Sequence, residues 1–297
     1  MELAVLVGPT GVGKTAFAIE MAKELDCSII NADSRQIYRE LPIGTAAPTA
    51  EEQAQVKHYF VGCKSIREDY NAGQYERDCL KLIDRLSQEQ QQRGKETIAL
   101  LTGGSMMYID AVCQGLDDIP SVSAELRQEV QNLYAEKGLE GLQQEVQRLD
   151  PAYWAIVDQA NPQRLMHAIE VCRATGKTYS EHRTGQVQQR PFTIRKMGLR
   201  REREQLYRRI NLRVSKMVEA GLLKEAEQAF EALGLDGSQP LPNSLNTVGY
   251  KEIYTYLQGL WSWDRAVEMI QQNSRHYAKR QMTWWNRDKQ INWIDLT

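Results

Sequence analysis

Residues 8–15 read Gly8-Pro9-Thr10-Gly11-Val12-Gly13-Lys14-Thr15, directly after the apolar run Leu3-Ala4-Val5-Leu6-Val7. This is the G-x-x-x-x-G-K-[ST] pattern, standing where such a pattern must stand, between a buried strand and a helix. Gly8, Gly11 and Gly13 let the backbone curl so that its N–H groups point inward at a phosphate. Lys14 adds a positive charge, and the Thr15 hydroxyl is placed to hold Mg²⁺. The stretch from Ala16 to Leu25 has helical apolar spacing, so the loop opens a helix whose positive dipole end faces the anion. The chain is expected to bind a di- or triphosphate group; what hangs on that group is open at this point.

Outward from this loop, the first hundred residues alternate strand and helix. Strand patterns cover Glu2–Val7, Ser28–Asn31 and Thr97–Leu101, with helical patterns over Leu80–Arg93 and Met106–Cys113. Such alternation favours an α/β fold with a parallel sheet and ligands outside the carboxyl ends of its strands. Composition shifts near Pro120. From Ser121 to about Arg190 the pattern is helical only, with stripes at Leu126/Val130/Leu133 and Leu142/Val146/Leu149 separated by Gly138 and Gly141. Asn161-Pro162 starts a helix that Gly176 ends, and Thr178–Gln189 is polar and expected to be mobile. Phe192–Leu199 reads as a strand returning to the sheet. Helices follow with Leu206, Ile210, Val214 and Met217 on one face, then over Leu222–Leu233 and Asp264–Arg287. The expected organisation is a P-loop NTPase-like core over 1–120, a helical insertion over 121–190, and a return strand with basic helices over 191–297.

The 297 residues are enough for a sizeable buried core. A net charge of −2 carries no global sign of nucleic-acid binding. Five scattered cysteines without a C-x-x-C pair read as reduced thiols in a cytosol-like compartment. The first strand begins at residue 2, so no signal peptide is expected, and no 18-residue apolar run suggests a membrane span. The expected location is the cytoplasm.

Local charge says more. Between Arg190 and Lys216 ten basic residues face only Glu202 and Glu204, a net +8; from Arg275 to Lys289 five face Asp288 alone, a net +4. Basic segments beside aromatics such as Tyr277, Trp284 and Trp285 suit a polyanion whose bases stack, whereas a single basic helix is more often a solvated face. Asp33 follows the second strand on the sheet edge facing the phosphate loop. A carboxylate there serves as metal ligand, general base or helix cap, and spacing alone leaves these open. Gly103-Gly104 allows either close approach to a ligand or a tight turn.

Several motifs, in order along the chain, resemble the tRNA dimethylallyltransferase (tRNA isopentenyltransferase) family. They are Gly8 to Thr15, Asp33-Ser34 with Gln36 and Tyr38, Ile43 to Ala46 with Pro48, and Gly103-Gly104 with Tyr108. Asp150-Pro151, Gln163-Arg164, Arg203 with Leu206-Tyr207 and Arg209-Ile210, Gly249 to Glu252, and Tyr277 to Gln281 with Thr283-Trp284 continue the series. The resemblance implies transfer of a dimethylallyl group from dimethylallyl diphosphate to the exocyclic amine of the adenosine just 3′ of the anticodon in tRNA. It implies that Gly8 to Thr15 hold the diphosphate, with Mg²⁺ at Thr15. Asp33 would accept the amine proton, and Arg203 would neutralise the departing diphosphate. The tRNA anticodon stem-loop would meet Asp33, Ser34, Arg35, Gln36 and Ser105 at the sheet edge. In the insertion it would meet Arg127, Gln163, Arg164 and His167, and towards the end Gly249, Tyr250, Lys251, Arg275, Lys279 and Arg280. A monomer is expected.

Three positions depart from the family pattern: Ala47 stands for a lysine, Ser105 for a threonine, and His167 for an arginine. With no zinc-finger extension after Trp293, RNA grip is expected from the insertion and the basic helices. Two enzymes share parts of this pattern, an adenylate dimethylallyltransferase using free AMP, ADP or ATP and a small-molecule kinase. A non-catalytic RNA-binding protein would have no need of both Lys14 and Asp33.

Overall fold

A computed structural model describes residues 1–117, 119–120 and 122–297. The chain packs as two compact units, one formed by Met1–Gln114 with Arg190–Thr297, the other by Gly115–Gln189.

The first unit is built on a six-stranded, all-parallel sheet in the order β3-β2-β4-β1-β5-β6. The strands are β1 (Glu2–Val7), β2 (Ile29–Asn31), β3 (His58–Tyr59), β4 (Ile98–Thr102), β5 (Thr193–Arg200) and β6 (Asn292–Asp295). Side chains of β1 alternate between faces. Leu3, Val5 and Val7 enter one core, while Ala4 and Leu6 enter the other. Both faces are therefore covered, which is why β1 and β4 read as continuous apolar runs.

One face is covered by α1 (Lys14–Glu24) through Ala18, Ile19 and Ala22, and by α9 (Arg203–Glu219) through Leu206 and Ile210. The other face packs against α3 (Ala72–Gln92), α4 (Met106–Gln114), α10 (Leu222–Ala232), α11 (Tyr250–Leu257) and α12 (Trp263–Trp285). The helix expected from Leu80 begins eight residues earlier, because Asn71 and Gln74 form a capping box that satisfies its first N–H groups. Two strands were not legible: β3 has two residues and β6 four, and each pairs on one side only. A short helix, α2 (Ala50–Gln55), was also missed; its capping box is Thr49 with Glu52.

The second unit is helical: α5 (Ala124–Leu149), α6 (Pro151–Trp154), α7 (Pro162–Thr175) and α8 (Tyr179–His182). Gly138, at φ +62°, interrupts α5 between the two apolar stripes. α7 has the caps anticipated for it, Asn161 before Pro162 and Gly176 in the left-handed region at its end. The segment after Thr178 is less irregular than expected. Tyr179 is buried, and Ser180 donates to the buried Asp150 through both its N–H (2.7 Å) and its hydroxyl (2.9 Å). The unit starts six residues before the expected boundary, and residue 121 itself lies outside the described residues.

Candidate active site

Four adjacent strands deliver their carboxyl ends to one edge of the sheet. β1 runs into the phosphate loop, β2 into Asp33, β4 into Gly103-Gly104, and β5 into the start of α9. Parallel sheets bind ligands at this edge because the connecting loops and helix N-termini converge there.

The phosphate loop adopts the curl expected of it. Gly8, Gly11 and Gly13 have φ of +151°, +80° and +112°, a region where a side chain is strained. Lys14 folds back over the loop and donates from Nζ to the carbonyls of Gly8 (2.6 Å) and Pro9 (3.0 Å). Burial pushes its ammonium from 10.5 down to about 7, helped by Arg213 and opposed by Asp33. Desolvation and a like charge both disfavour the charged lysine, so an arriving anion would relieve a real electrostatic deficit.

Two cavities meet at this edge. One, of about 390 Å³, is lined by the phosphate loop, Thr15, Asn31, Thr102 and the helix α9 residues Arg209, Leu212, Arg213 and Lys216. The other, of about 290 Å³, runs past Ser34, Arg35, Gly44, Ser105, Gly249, Lys251 and Arg280. Thr10, Asp33, Arg213 and Tyr277 belong to both. Asp33 thus stands where the cavity over the glycine-rich loop meets a second, smaller one.

Asp33 is both cap and cleft residue. Its Oδ1 accepts from the N–H groups of Arg35 (2.9 Å) and Gln36 (3.4 Å), closing the turn after β2. Its Oδ2 lies against Gly104, where an added Cβ would come within 2.8 Å of it. At Gly103 a Cβ would overlap the Ala32 carbonyl. The paired glycines therefore serve close packing of two strand ends and leave room for the carboxylate. Ser105 completes the corner, its hydroxyl accepting from the Ser34 N–H (2.8 Å) and donating to the Ser34 hydroxyl (2.9 Å).

The arginine nearest the cradle is not the expected one. Arg203 is exposed at the first turn of α9, with its guanidinium 5.3 Å from the Tyr207 ring, and lines neither cavity. Arg209 and Arg213, one turn apart, take that place. Arg209 donates to the Gly11 carbonyl (2.9 Å), and Arg213 donates to the Thr10 hydroxyl (3.0 Å) and the Thr45 carbonyl (3.2 Å). At about 100° per residue, Arg203 points roughly 120° away from Arg209 on the helix. Removal from water lowers the Arg213 guanidinium below its ordinary range, while Asp33 supports its charge.

Other expected contacts divide in the same way. Gln36 lines the cleft, and its amide donates to the carbonyls of Thr45 (3.1 Å) and Ala46 (3.0 Å). Arg35 reaches Asn243 (3.2 Å), and Lys251 lines the second cavity. Tyr250 is fully buried, its hydroxyl bonded to Glu225 (2.6 Å), which makes it a core residue and corrects its assignment to the RNA surface. Its neighbour Gly249 caps α11 at φ +102°. Arg275 is half-buried and donates to Asn211 (2.6 Å), whereas Lys279 and Arg280 are exposed, Arg280 lying over Tyr277. In the helical unit Arg127, Gln163 and Arg164 are exposed; His167 is half-exposed, 3.7 Å from the Glu170 carboxylate.

The net +8 segment is also less free than its composition suggests. Arg190 pairs with Glu76 (2.5 Å) and Lys196 with Asp288 (2.5 Å) in half-buried or buried settings, and Arg200 pairs with Asp295 (2.6 Å) at the surface, so these cations are already engaged within the first unit. Gln281, which closes the Tyr277-to-Gln281 motif, has a role that the motif did not assign. Lying amid basic neighbours on α12, it is fully buried and bridges two loops: Oε1 accepts from the Thr10 N–H (2.8 Å), and Nε2 donates to the Gly104 carbonyl (2.8 Å). A neutral amide inside a basic run was the available signal, since an amide both donates and accepts.

Residues 36–288 match the family model described as IPP transferase. The chain is 50% identical over 292 residues to tRNA dimethylallyltransferase 1 of Bacteroides fragilis, covering 98% of this chain and 93% of that one. Identity to tRNA dimethylallyltransferase 1 of Phocaeicola vulgatus is 51% over 292 residues, with the same coverage of 98% and 93%. Among solved structures, the full-length tRNA isopentenylpyrophosphate transferase of Bacillus halodurans aligns with a TM-score of 0.69 at 33% identity, over 99% of this chain and 89% of that one. A eukaryotic dimethylallyltransferase acting on tRNA shares the fold, with a TM-score of 0.79 at 24% identity over 99% and 73% of the two chains.

Proposed function

The chain belongs to the IPP transferase family, and from this we propose that it prenylates tRNA. It transfers a dimethylallyl group from dimethylallyl diphosphate to the exocyclic amine of the adenosine 3′-adjacent to the anticodon. Its relatives' names support tRNA prenylation, and the observation that supports the chemistry is Asp33 standing where the two cavities join. With the diphosphate on the phosphate loop, the acceptor base enters from the second cavity and meets the carboxylate. An adenine stacked on its neighbours cannot reach such a recess, so the base is unstacked on binding.

The transfer balances as follows. The amine electron pair forms the new C–N bond at the first carbon of the dimethylallyl group. The C–O bond to the diphosphate breaks, and its electron pair leaves on oxygen. One amine proton passes to Asp33, compensating for the weak nucleophilicity of an aromatic amine. Charge gathering on the diphosphate is met by the loop N–H groups, Lys14 and Arg213, fixed beforehand by their bonds to the protein. Arg213 takes the role first expected of Arg203.

The donors at this edge suit Mg²⁺. Thr15 and Asp33 offer hard oxygens in one cleft, the donor type that Mg²⁺ takes. Thr15 and the diphosphate oxygens would hold the ion, which when bound supplies further neutralisation of the leaving group. All five cysteines are free thiols and no helix among the described residues is long and apolar enough to cross a membrane; both fit a cytoplasmic enzyme, which we take to act as a monomer. The helical unit, with exposed Arg127, Gln163 and Arg164, and exposed Lys279 and Arg280 on α12 supply contacts to the anticodon stem-loop.

Incubation with dimethylallyl diphosphate, Mg²⁺ and unmodified tRNA, followed by nucleoside mass analysis, tests the assignment. The expected product is N6-(dimethylallyl)adenosine at that single position. Prenylated AMP formed in preference to prenylated tRNA, in a competition between the two, would assign the free nucleotide as acceptor instead.

A further inference from the structure

A buried carboxylate lies behind the wall shared by the two cavities. Glu225, in the first turn of α10, is only 7% exposed. Its Oε2 accepts from the Ile43 N–H (2.7 Å), and its Oε1 accepts from the Gly44 N–H (2.8 Å) and the Tyr250 hydroxyl (2.6 Å). Gly44 packs directly on that tyrosine, since an added Cβ would lie 2.5 Å from its hydroxyl. The chain then turns through Ala46 at φ +46°, an unfavourable region for alanine.

Such a turn persists only if its surroundings over-determine it. Here Glu225 holds it from the core, and the Gln36 amide holds it from the cleft through the carbonyls of Thr45 and Ala46. The Thr45 carbonyl, set by this loop, is one of two acceptors that aim Arg213; the other is the Thr10 hydroxyl on the phosphate loop. We propose that Glu225 is a positioning residue for transfer, acting through the loop Ile43–Ala46 to fix the Arg213 guanidinium over the phosphate cradle. The inference rests on the role given to Arg213 above.

A glutamine at position 225 has one acceptor oxygen and turns an NH₂ towards a backbone donor, so it cannot serve both loop N–H groups. Misplacement by about 1 Å of a group acting on the transition state costs on the order of 10²-fold in rate. The test is a double-mutant cycle in the full-length chain with Glu225→Gln, Arg213→Lys and the pair. Steady-state transfer to tRNA and affinity for inorganic diphosphate are both measured. Expected are a loss in kcat of about 10-fold or more for Glu225→Gln, KM for tRNA changed by less than about threefold, and a double variant no slower than Arg213→Lys alone. Diphosphate affinity should show the same non-additivity.

Losses that multiply across the pair, in rate or in diphosphate affinity, would overturn the relay, as would wild-type kcat in Glu225→Gln. The diphosphate arm reads the relay even if the wild type fails to prenylate tRNA, an outcome that would count against the functional assignment itself. Should Glu225→Gln not fold, Tyr250→Phe removes one of the three bonds and should give a smaller loss, again absorbed by Arg213→Lys. Phe230→Leu, a core change on the same helix, loses stability without touching the loop and should keep the wild-type kcat.

Discussion

Gln281 and Thr10 lie 271 positions apart and are joined by one hydrogen bond of 2.8 Å, from the Thr10 backbone N–H to the Gln281 side-chain oxygen. The same amide donates to Gly104, so helix α12 holds the phosphate loop and the loop after β4 at a fixed separation. Asp33 sits beside that bridge, its Oδ2 packed against Gly104. The separation of the glycine-rich loop from Asp33 is therefore set by α12, far along the chain from both.

Replacing Gln281 with leucine should strand the Thr10 N–H, because Gly104 keeps the Tyr277 hydroxyl at 2.8 Å but Thr10 has no such substitute. A stranded, partly buried donor costs about 1–3 kcal/mol. Urea unfolding should show that loss, and KM for dimethylallyl diphosphate should rise with it. Unchanged KM would show that the cradle keeps its shape without the bridge.

Asp33→Asn should remove most prenyl transfer while leaving tRNA affinity nearly as it was. Loss of a general base costs on the order of 10²–10⁴ in rate, and an asparagine oxygen can still cap the turn at Arg35. Single-turnover assays with bound tRNA separate the two effects. Near-normal turnover would reduce Asp33 to its capping role.

Lys14 gives the site a pH signature. Its ammonium is held down to about 7, from an ordinary 10.5, by burial and by Arg213. Between these values the unfolded chain binds more protons than the folded one, so for this group the stability of the ligand-free protein rises with pH across that window. A bound diphosphate favours the charged lysine, so binding should take up a proton there and weaken as pH climbs above about 7. Calorimetry at pH 8 in two buffers of different ionisation enthalpy should show uptake approaching about one proton per diphosphate. No uptake would mean that Lys14 does not meet the ligand.

The two cations on α12 should behave differently. Lys279 is exposed, and Lys279→Ala should flatten the salt dependence of tRNA binding by a slope of up to about one. Arg275 donates to Asn211 at 2.6 Å, so Arg275→Ala should instead lower stability by about 1 kcal/mol with little change in slope. Filter binding across a salt series, with thermal melts, checks both. Identical slopes for Lys279→Ala and the wild type would place that face of α12 away from the RNA.

What the amino-acid sequence determined by itself is what neighbours along the chain decide. The phosphate loop was legible because three glycines, a lysine and a threonine act within eight residues, between a strand buried on both faces and a helix. The span of α7 was legible because Asn161, Pro162 and Gly176 satisfy the backbone groups at its own ends. The motifs that resemble a prenyltransferase family likewise stand in order along the chain, and family membership agrees with them.

Only the tertiary structure decided which side chains meet. Charge counting could not tell Arg203, stacked outside on Tyr207, from Arg213, held between Thr10 and Thr45. Nor could it show that Arg190, Lys196 and Arg200 are engaged by carboxylates of distant elements. Tyr250, which the resemblance implies as an RNA contact, is a core residue whose hydroxyl donates to the buried Glu225. A helix presents different faces at about 100° per residue, and which face meets the cleft is settled by how α9 and α12 pack on the sheet. That packing brings Gln281 to Thr10, a partner 271 positions away.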